Sequence, residues 1–206
     1  MTVKDTLEKF CYPIYEPIDV KKLYSSIQEF FNRLNISESV FFDDLKQRPV
    51  TTCNLNNIVG ITGKDRWWNH RGDHLSVLRA GIKEENFSEF ISELDGLYIK
   101  EVIDNIYQSH LEKFKTKFQG RCQLIWSRPG HCYGIHCDKH TKHRYHIPVY
   151  TDEHFFWIFQ QANKDTDLIH MPADGRIWYL NPKDVMHTVT HVGTAPRLHI
   201  LLTSGY

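Results

Sequence analysis

From Gly120 to the C-terminus, apolar and polar residues alternate with a period of two, in short runs separated by turn residues. The runs are 121–127, 132–138, 143–151, 154–160, 167–171, 175–181, 187–192 and 196–203. Arg128-Pro129-Gly130, Ala173-Asp174-Gly175, Asn181-Pro182 and Gly193 mark turns between them. Eight short strands follow one another. They predict two facing antiparallel sheets or a rolled barrel, a jelly-roll cup in which side chains from different strands converge at the open end.

The first 120 residues read differently. Asp19 to Asn35 predicts an amphipathic helix, with Leu23, Ile27, Phe30, Phe31 and Leu34 at spacings of three and four. Residues 88–118 carry the longest apolar stripe, from Phe90 and Ile91 through Val102 and Ile106 to Phe114, with Gly96 as an interruption. Thr51–Thr62 and His74–Ala80 are candidate short strands. The expected architecture is a single domain over 1–206, mainly β with buttressing helices: residues 1–120 form a helix-rich buttress and 121–206 a double-stranded β-helix of the jelly-roll or cupin type.

Composition removes several functional classes. Lysine plus arginine and aspartate plus glutamate stand at 25 each, so no electrostatic argument points to nucleic acid or to an anionic membrane. The N-terminal MTVKDTLEKF lacks the apolar centre of a signal peptide, and no run is long enough for a membrane span. Five scattered cysteines, with no C-x-x-C, suit a reducing compartment, and a cytoplasmic location is expected.

Histidine is abundant, at 13, and six of these fall between 131 and 154. His136-Cys137-Asp138 lies on a predicted strand, where residues two apart share a face, so His136 and Asp138 project together. His187 begins a later strand that can lie opposite in a rolled sheet, and Arg197 follows it by ten residues. Two imidazoles and one carboxylate can hold one face of Fe(II) and leave positions open for a co-substrate and oxygen; Zn, Co or Mn would also fit. A guanidinium offers a carboxylate a fixed two-pronged fork. Arg144 and His146 alternate on the next strand and are expected to point into the same cup. His131, His140, His143 and His154 are expected to face solvent, and His170 and His191 to be satisfied polar residues. KDRWWNHRGDH, with Trp67 and Trp68, reads either as a packed aromatic pair or as a recognition loop for an anionic or amino-acid ligand.

The run PGHCYGIHCDKHTKHRYHIPV, followed by MPADGRIWYLNPKDVMHTVTHVGTAPRLHIL, resembles the aspartyl/asparaginyl β-hydroxylase-like group of 2-oxoglutarate oxygenases, and is also similar to bacterial free-proline hydroxylases. The resemblance covers roughly residues 121–203 and rests on Pro-Gly, H-x-D, R-x-H and a distal histidine with an arginine ten residues on. It implies Fe(II) held by His136, Asp138 and His187, 2-oxoglutarate as co-substrate with its distal carboxylate on Arg197, Arg144 and His146 fixing co-substrate or substrate carboxylate, and O2 as oxidant. It further implies hydroxylation of a C–H bond, with an amino acid or a peptidyl Asp/Asn-type side chain favoured as substrate over an acyl chain. The chain departs from the pattern at His191, where many members carry asparagine, and it keeps Asp138, which the animal aspartyl hydroxylases lack. Two other readings of the same residues stand beside this one: a cupin-like metal- or ligand-binding protein without oxygenase activity, and an interaction module in which the histidines are structural.

Overall fold

A computed structural model describes residues 11–14, 17–58, 68–69, 87–138, 141–160, 165–183 and 185–204. Twelve strands and three helices are found among them. They are β1 (Cys11–Ile14), α1 (Val20–Arg33), α2 (Ser39–Leu45), β2 (Val50–Asn54), β3 (Asn56–Ile58), β4 (Trp68–Asn69), β5 (Phe87–Phe90), α3 (Tyr98–Phe114), β6 (Gly120–Ser127), β7 (His143–Tyr150), β8 (Phe155–Gln160), β9 (Thr166–His170), β10 (Ile177–Leu180), β11 (Met186–His191) and β12 (Arg197–Ser204).

Seven strands form one sheet in the order β1-β10-β7-β12-β6-β2-β4, three form a second in the order β11-β8-β9, and β3 pairs with β5. All the pairings are antiparallel. The large sheet is covered on both faces. On β6, Cys122, Leu124 and Trp126 face the helices; on β7 Tyr145, Ile147 and Val149 do so, and on β12 Leu198, Ile200 and Leu202. The alternate residues of these strands face the small sheet, whose Phe155, Trp157, Phe159, Ile169 and Val189 form a second apolar cluster with Trp178 and Leu180 of β10. The alternation on the central strands therefore separates a helix-facing apolar side from an inner side that is largely polar.

The helices form for local reasons and are held by that apolar side. Asp19 caps α1 by accepting from the Lys22 amide at 2.9 Å. Leu23, Ile27, Phe30 and Phe31 of α1 are buried with Ile99, Val102, Ile103 and Ile106 of α3. Phe41 of α2 stacks on Trp126 at 4.1 Å between ring centres. Burying each such side chain contributes on the order of 1.5–3 kcal/mol.

Three expectations are corrected. The helix over 88–118 begins only at Tyr98: β5 and a 3-10 turn at Ser92–Leu94 occupy its first third, and Gly96 takes φ +75°, which an α-helix cannot include. Residues 132–138 do not form a regular strand; they touch β11 through single bridges at Cys132–Thr190 and His136–His187. The first half also supplies more than a buttress, since β1, β2 and β4 extend the large sheet. Thr51–Thr62 resolves into β2 and β3 as far as Ile58, while His74–Ala80 and Trp67 lie outside the described residues. No described helix is long and apolar enough to cross a membrane.

Candidate metal centre

The two sheets enclose a cavity of about 140 Å³. Its wall includes Arg121, Gln123, Tyr133, His136, Asp138, Arg144, His146, Trp157, His187, Arg197 and Thr203. The inner positions of β6, β7 and β12 therefore meet there with the segment at 133–138 and with the start of β11.

His136, Asp138 and His187 come together in this cavity, with one ligand atom of each inside 4.8 Å of the others. The His136 Nε2 lies 3.5 Å from Asp138 Oδ1, and the His187 Nε2 lies 3.7 Å from Asp138 Oδ2. Backbone pairing sets the spacing: the His136 amide donates to the His187 carbonyl at 2.9 Å and the His187 amide donates back at 2.7 Å. The Asp138 amide donates to the Pro182 carbonyl at 3.1 Å, which ties the carboxylate to the turn before β11.

Each imidazole is also fixed at its other nitrogen. The Nδ1 of His136 sits 2.7 Å from the Gly134 carbonyl, and the Nδ1 of His187 sits 3.0 Å from the Val185 carbonyl. A carbonyl only accepts, so both Nδ1 atoms carry a proton and both Nε2 atoms are turned toward Asp138. The His187 ring is stacked on Trp157 at 5.6 Å. Burial lowers its pKa to about 4, so it is neutral near pH 7.

The donor set fits a divalent first-row ion. The His187 Nε2 is buried without a hydrogen-bond partner, which costs free energy unless something accepts its lone pair. Donors about 2 Å from one ion at right angles lie about 3 Å apart, so the three ligand atoms must draw closer together when an ion binds.

Two guanidiniums differ in setting. Arg144 Nη1 lies 2.6 Å from Asp138 Oδ2 and anchors that carboxylate from β7. Arg197 is buried at the start of β12, where its Nε donates to the Ser127 hydroxyl and its guanidinium lies 3.8 Å from the centre of the Phe155 ring. No carboxylate stands within ion-pair distance of it among the described residues. Burial lowers its pKa to about 10, which leaves it cationic at neutral pH. A buried cation of this kind costs several kcal/mol without an anionic partner. His146 lies between the two arginines, held well below its ordinary pKa by burial and then by Arg144.

His199 lies behind the cavity wall, beside His146 at 6.1 Å between ring centres. It is buried on the inner side of β12, edge-on to Phe155 at 5.0 Å, and neither ring nitrogen has a partner among the described residues. Its parity with Arg197 in PRLHIL puts it on that side. His143, expected in solvent, is buried on the opposite side of β7, with its Nδ1 2.8 Å from the Tyr179 hydroxyl. His154 is exposed, and His140 is outside the described residues. His170 meets the Asp152 carbonyl at 3.3 Å; His191 meets the Asp152 carboxylate at 3.2 Å through Nε2, while its Nδ1 is buried with no partner among the described residues.

No protein-family model and no curated protein matches the sequence. Solved structures do match. An oxidoreductase of the 2OG-Fe(II) oxygenase family from Burkholderia pseudomallei superposes with a TM-score of 0.61 at 12% identity, covering 100% of this chain and 90% of that one. A Pseudomonas putida prolyl-4-hydroxylase gives 0.53 at 11% identity, over 99% and 97% of the two chains. A full-length Neurospora crassa protein, solved in complex with alpha-KG, gives 0.53 at 10% identity, over 99% and 78%. The chain thus shares the mainly β sandwich fold of these structures.

Proposed function

We propose that the chain is an Fe(II)- and 2-oxoglutarate-dependent dioxygenase that hydroxylates a C–H bond of an amino acid or of a peptidyl Asp/Asn-type side chain. The observation that carries this reading is one cavity that holds both a His-Asp-His cluster and a buried arginine with no carboxylate beside it among the described residues. The strand order supports a double-stranded β-helix. From β6 onward the chain alternates, apart from the β8–β9 hairpin, between a β6-β12-β7-β10 side and a side made of the 132–136 bridges, β11, β8 and β9. The solved structures named above share the fold, and they include a prolyl-4-hydroxylase.

His136, Asp138 and His187 would hold the metal, with Nδ1–H bonds to Gly134 and Val185 keeping the imidazoles aimed. Iron with 2-oxoglutarate and O2 supplies an oxidant strong enough for an unactivated C–H bond, with succinate and CO2 as by-products. The protein's own part is orientation and exclusion of water. Arg197 would receive the distal carboxylate by charge-assisted hydrogen bonds. Arg144 would hold Asp138, and Trp157 and Val189 would shield the metal's side of the cavity. A metal-binding module without oxygenase activity would use the same three ligands but has no use for Arg197.

Reconstitution with Fe(II) without oxygen, followed by 2-oxoglutarate and O2, tests the reading. Succinate release that rises with amino acids or peptides is expected. Tight metal binding with no succinate under any substrate would establish the binding-module alternative.

A further inference from the structure

The inner side of β12 runs from Arg197 to Thr203. Arg197 stands opposite Ser127, whereas Thr203 stands between Arg121 of β6 and Arg144 of β7. Six residues of strand separate the two ends, roughly 20 Å at about 3.3 Å per residue. A five-carbon diacid held at the metal and at Arg197 is far shorter than that. The Arg121 end of the wall is therefore built for something else.

Arg121 is 4% exposed, lines the cavity, and leans over Phe87 at 5.8 Å from the ring centre. The Thr203 hydroxyl beside it is buried and has no hydrogen-bond partner among the described residues. Gln123 and Thr52 continue the polar wall, and Gln123 is itself oriented by a 2.6 Å bond from its Nε2 to Asn54 Oδ1. A buried hydroxyl with nothing to bind is costly, so its place in the cavity wall calls for a ligand acceptor. A guanidinium fork next to one neutral hydroxyl donor matches a planar carboxylate.

We propose that Arg121 and Thr203 form the docking seat for a carboxylate of the primary substrate. The substrate is then an acid, entering with its carboxylate on β6 and β12 and its reacting C–H bond toward His136, Asp138 and His187. That the ligand is a substrate rests on the oxygenase reading above; the seat itself can be tested without turnover.

The test is ligand-observed NMR on protein loaded with Mn(II) and saturating 2-oxoglutarate, without oxygen, repeated on metal-free protein. The probes are amino acids and N-acetyl amino acids, each beside its carboxamide counterpart, with the aspartate and asparagine side chains among the pairs. At least one acid should bind tenfold or more tighter than its amide. Arg121→Gln should remove that difference, Arg121→Lys should keep most of it, and Thr203→Val should weaken the acid a few-fold. Should Arg121→Gln fail to fold, the Lys and Val variants with the acid–amide pairs still decide. Equal binding of acids and amides by the wild-type chain, or discrimination that survives Arg121→Gln, overturns the proposal. So does a preference for phosphate monoesters over every carboxylate. If the protein takes up neither metal nor 2-oxoglutarate, the oxygenase reading fails by itself, and the metal-free comparison still judges the seat.

Discussion

His136 and His187 face each other as a directly bonded backbone pair, each amide donating to the other's carbonyl, with their rings 4.7 Å apart. The segment around His136 is not a regular strand, so this single bridge sets the separation of the two imidazoles. Asp138 is held separately, by Pro182 through its amide and by Arg144 through its carboxylate. The cluster is thus preorganised by three independent contacts.

His136→Ala and His187→Ala should each weaken divalent metal binding by about 100-fold or more, because two donors leave too few bonds to offset the ion's dehydration. Calorimetric titration with Mn(II) or Co(II) reads this directly. The two substitutions should differ in stability: His187 is buried against Trp157 and Phe159, so its loss leaves a cavity, while half-buried His136 leaves little. Equal metal affinity in wild type and either variant would remove that residue from the ligand set.

Asp138→Ala should destabilise the metal-free protein, since it removes the 2.6 Å pair with the buried Arg144 guanidinium. If the two groups act on each other, the loss in the Asp138→Ala, Arg144→Met double variant should be smaller than the sum of the single losses. A double-mutant cycle in urea measures the coupling, and additive effects would mean that the pair contributes nothing in solution.

What could be read from the sequence follows from how far each signal extends along the chain. The period of two after Gly120 is local, and β6 through β12 appear close to their expected bounds. The 132–138 segment misled because Tyr133, Gly134 and Ile135 are exposed, so its alternation did not report burial. The break at Gly96 was legible, but the stripe before it at Phe90, Ile91 and Leu94 has helical spacing and yet forms β5 and a 3-10 turn, which its packing in the core decides. His143 is covered by His110 and Phe114 of α3, a contact between distant segments that no local pattern encodes. On β6 and β12 the polar parity points into the cavity rather than to solvent. The same parity that places Arg197 in the wall also places Arg121 and Thr203 there.

Arg197→Ala should raise the 2-oxoglutarate requirement by about 10- to 100-fold, in line with the loss of about 1.5–3 kcal/mol from a charge-assisted pair. Arg197→Lys should recover part of this, because it keeps the charge but not the fork. Metal affinity without 2-oxoglutarate should stay unchanged, which separates loss of co-substrate binding from collapse of the site. An unaltered 2-oxoglutarate dependence in the alanine variant would rule the arginine out as its anchor.

Stability should fall with acidification well above the carboxylate range. His110 and His143 lie 4.7 Å apart between α3 and β7, each with its Nδ1 bonded to a tyrosine hydroxyl, Tyr145 at 2.7 Å and Tyr179 at 2.8 Å. Phe114 and Phe118 close over them. Burial lowers both histidines to about 4; the Lys142 charge adds to this for each, and the His110 charge adds to it for His143. In the unfolded chain both titrate near about 6.5. Between those values the unfolded state binds the extra protons, so stability is complete above about pH 6.5 and is lost progressively toward pH 4. Buried His146, His187 and His199 act with the same sign. Urea unfolding of metal-free protein at pH 7, 6 and 5 should show the decline, and His143→Gln, which cannot take up a proton, should flatten its slope. A stability that holds level from pH 7 to 5 would mean that these imidazoles are already solvated or charged in the folded chain.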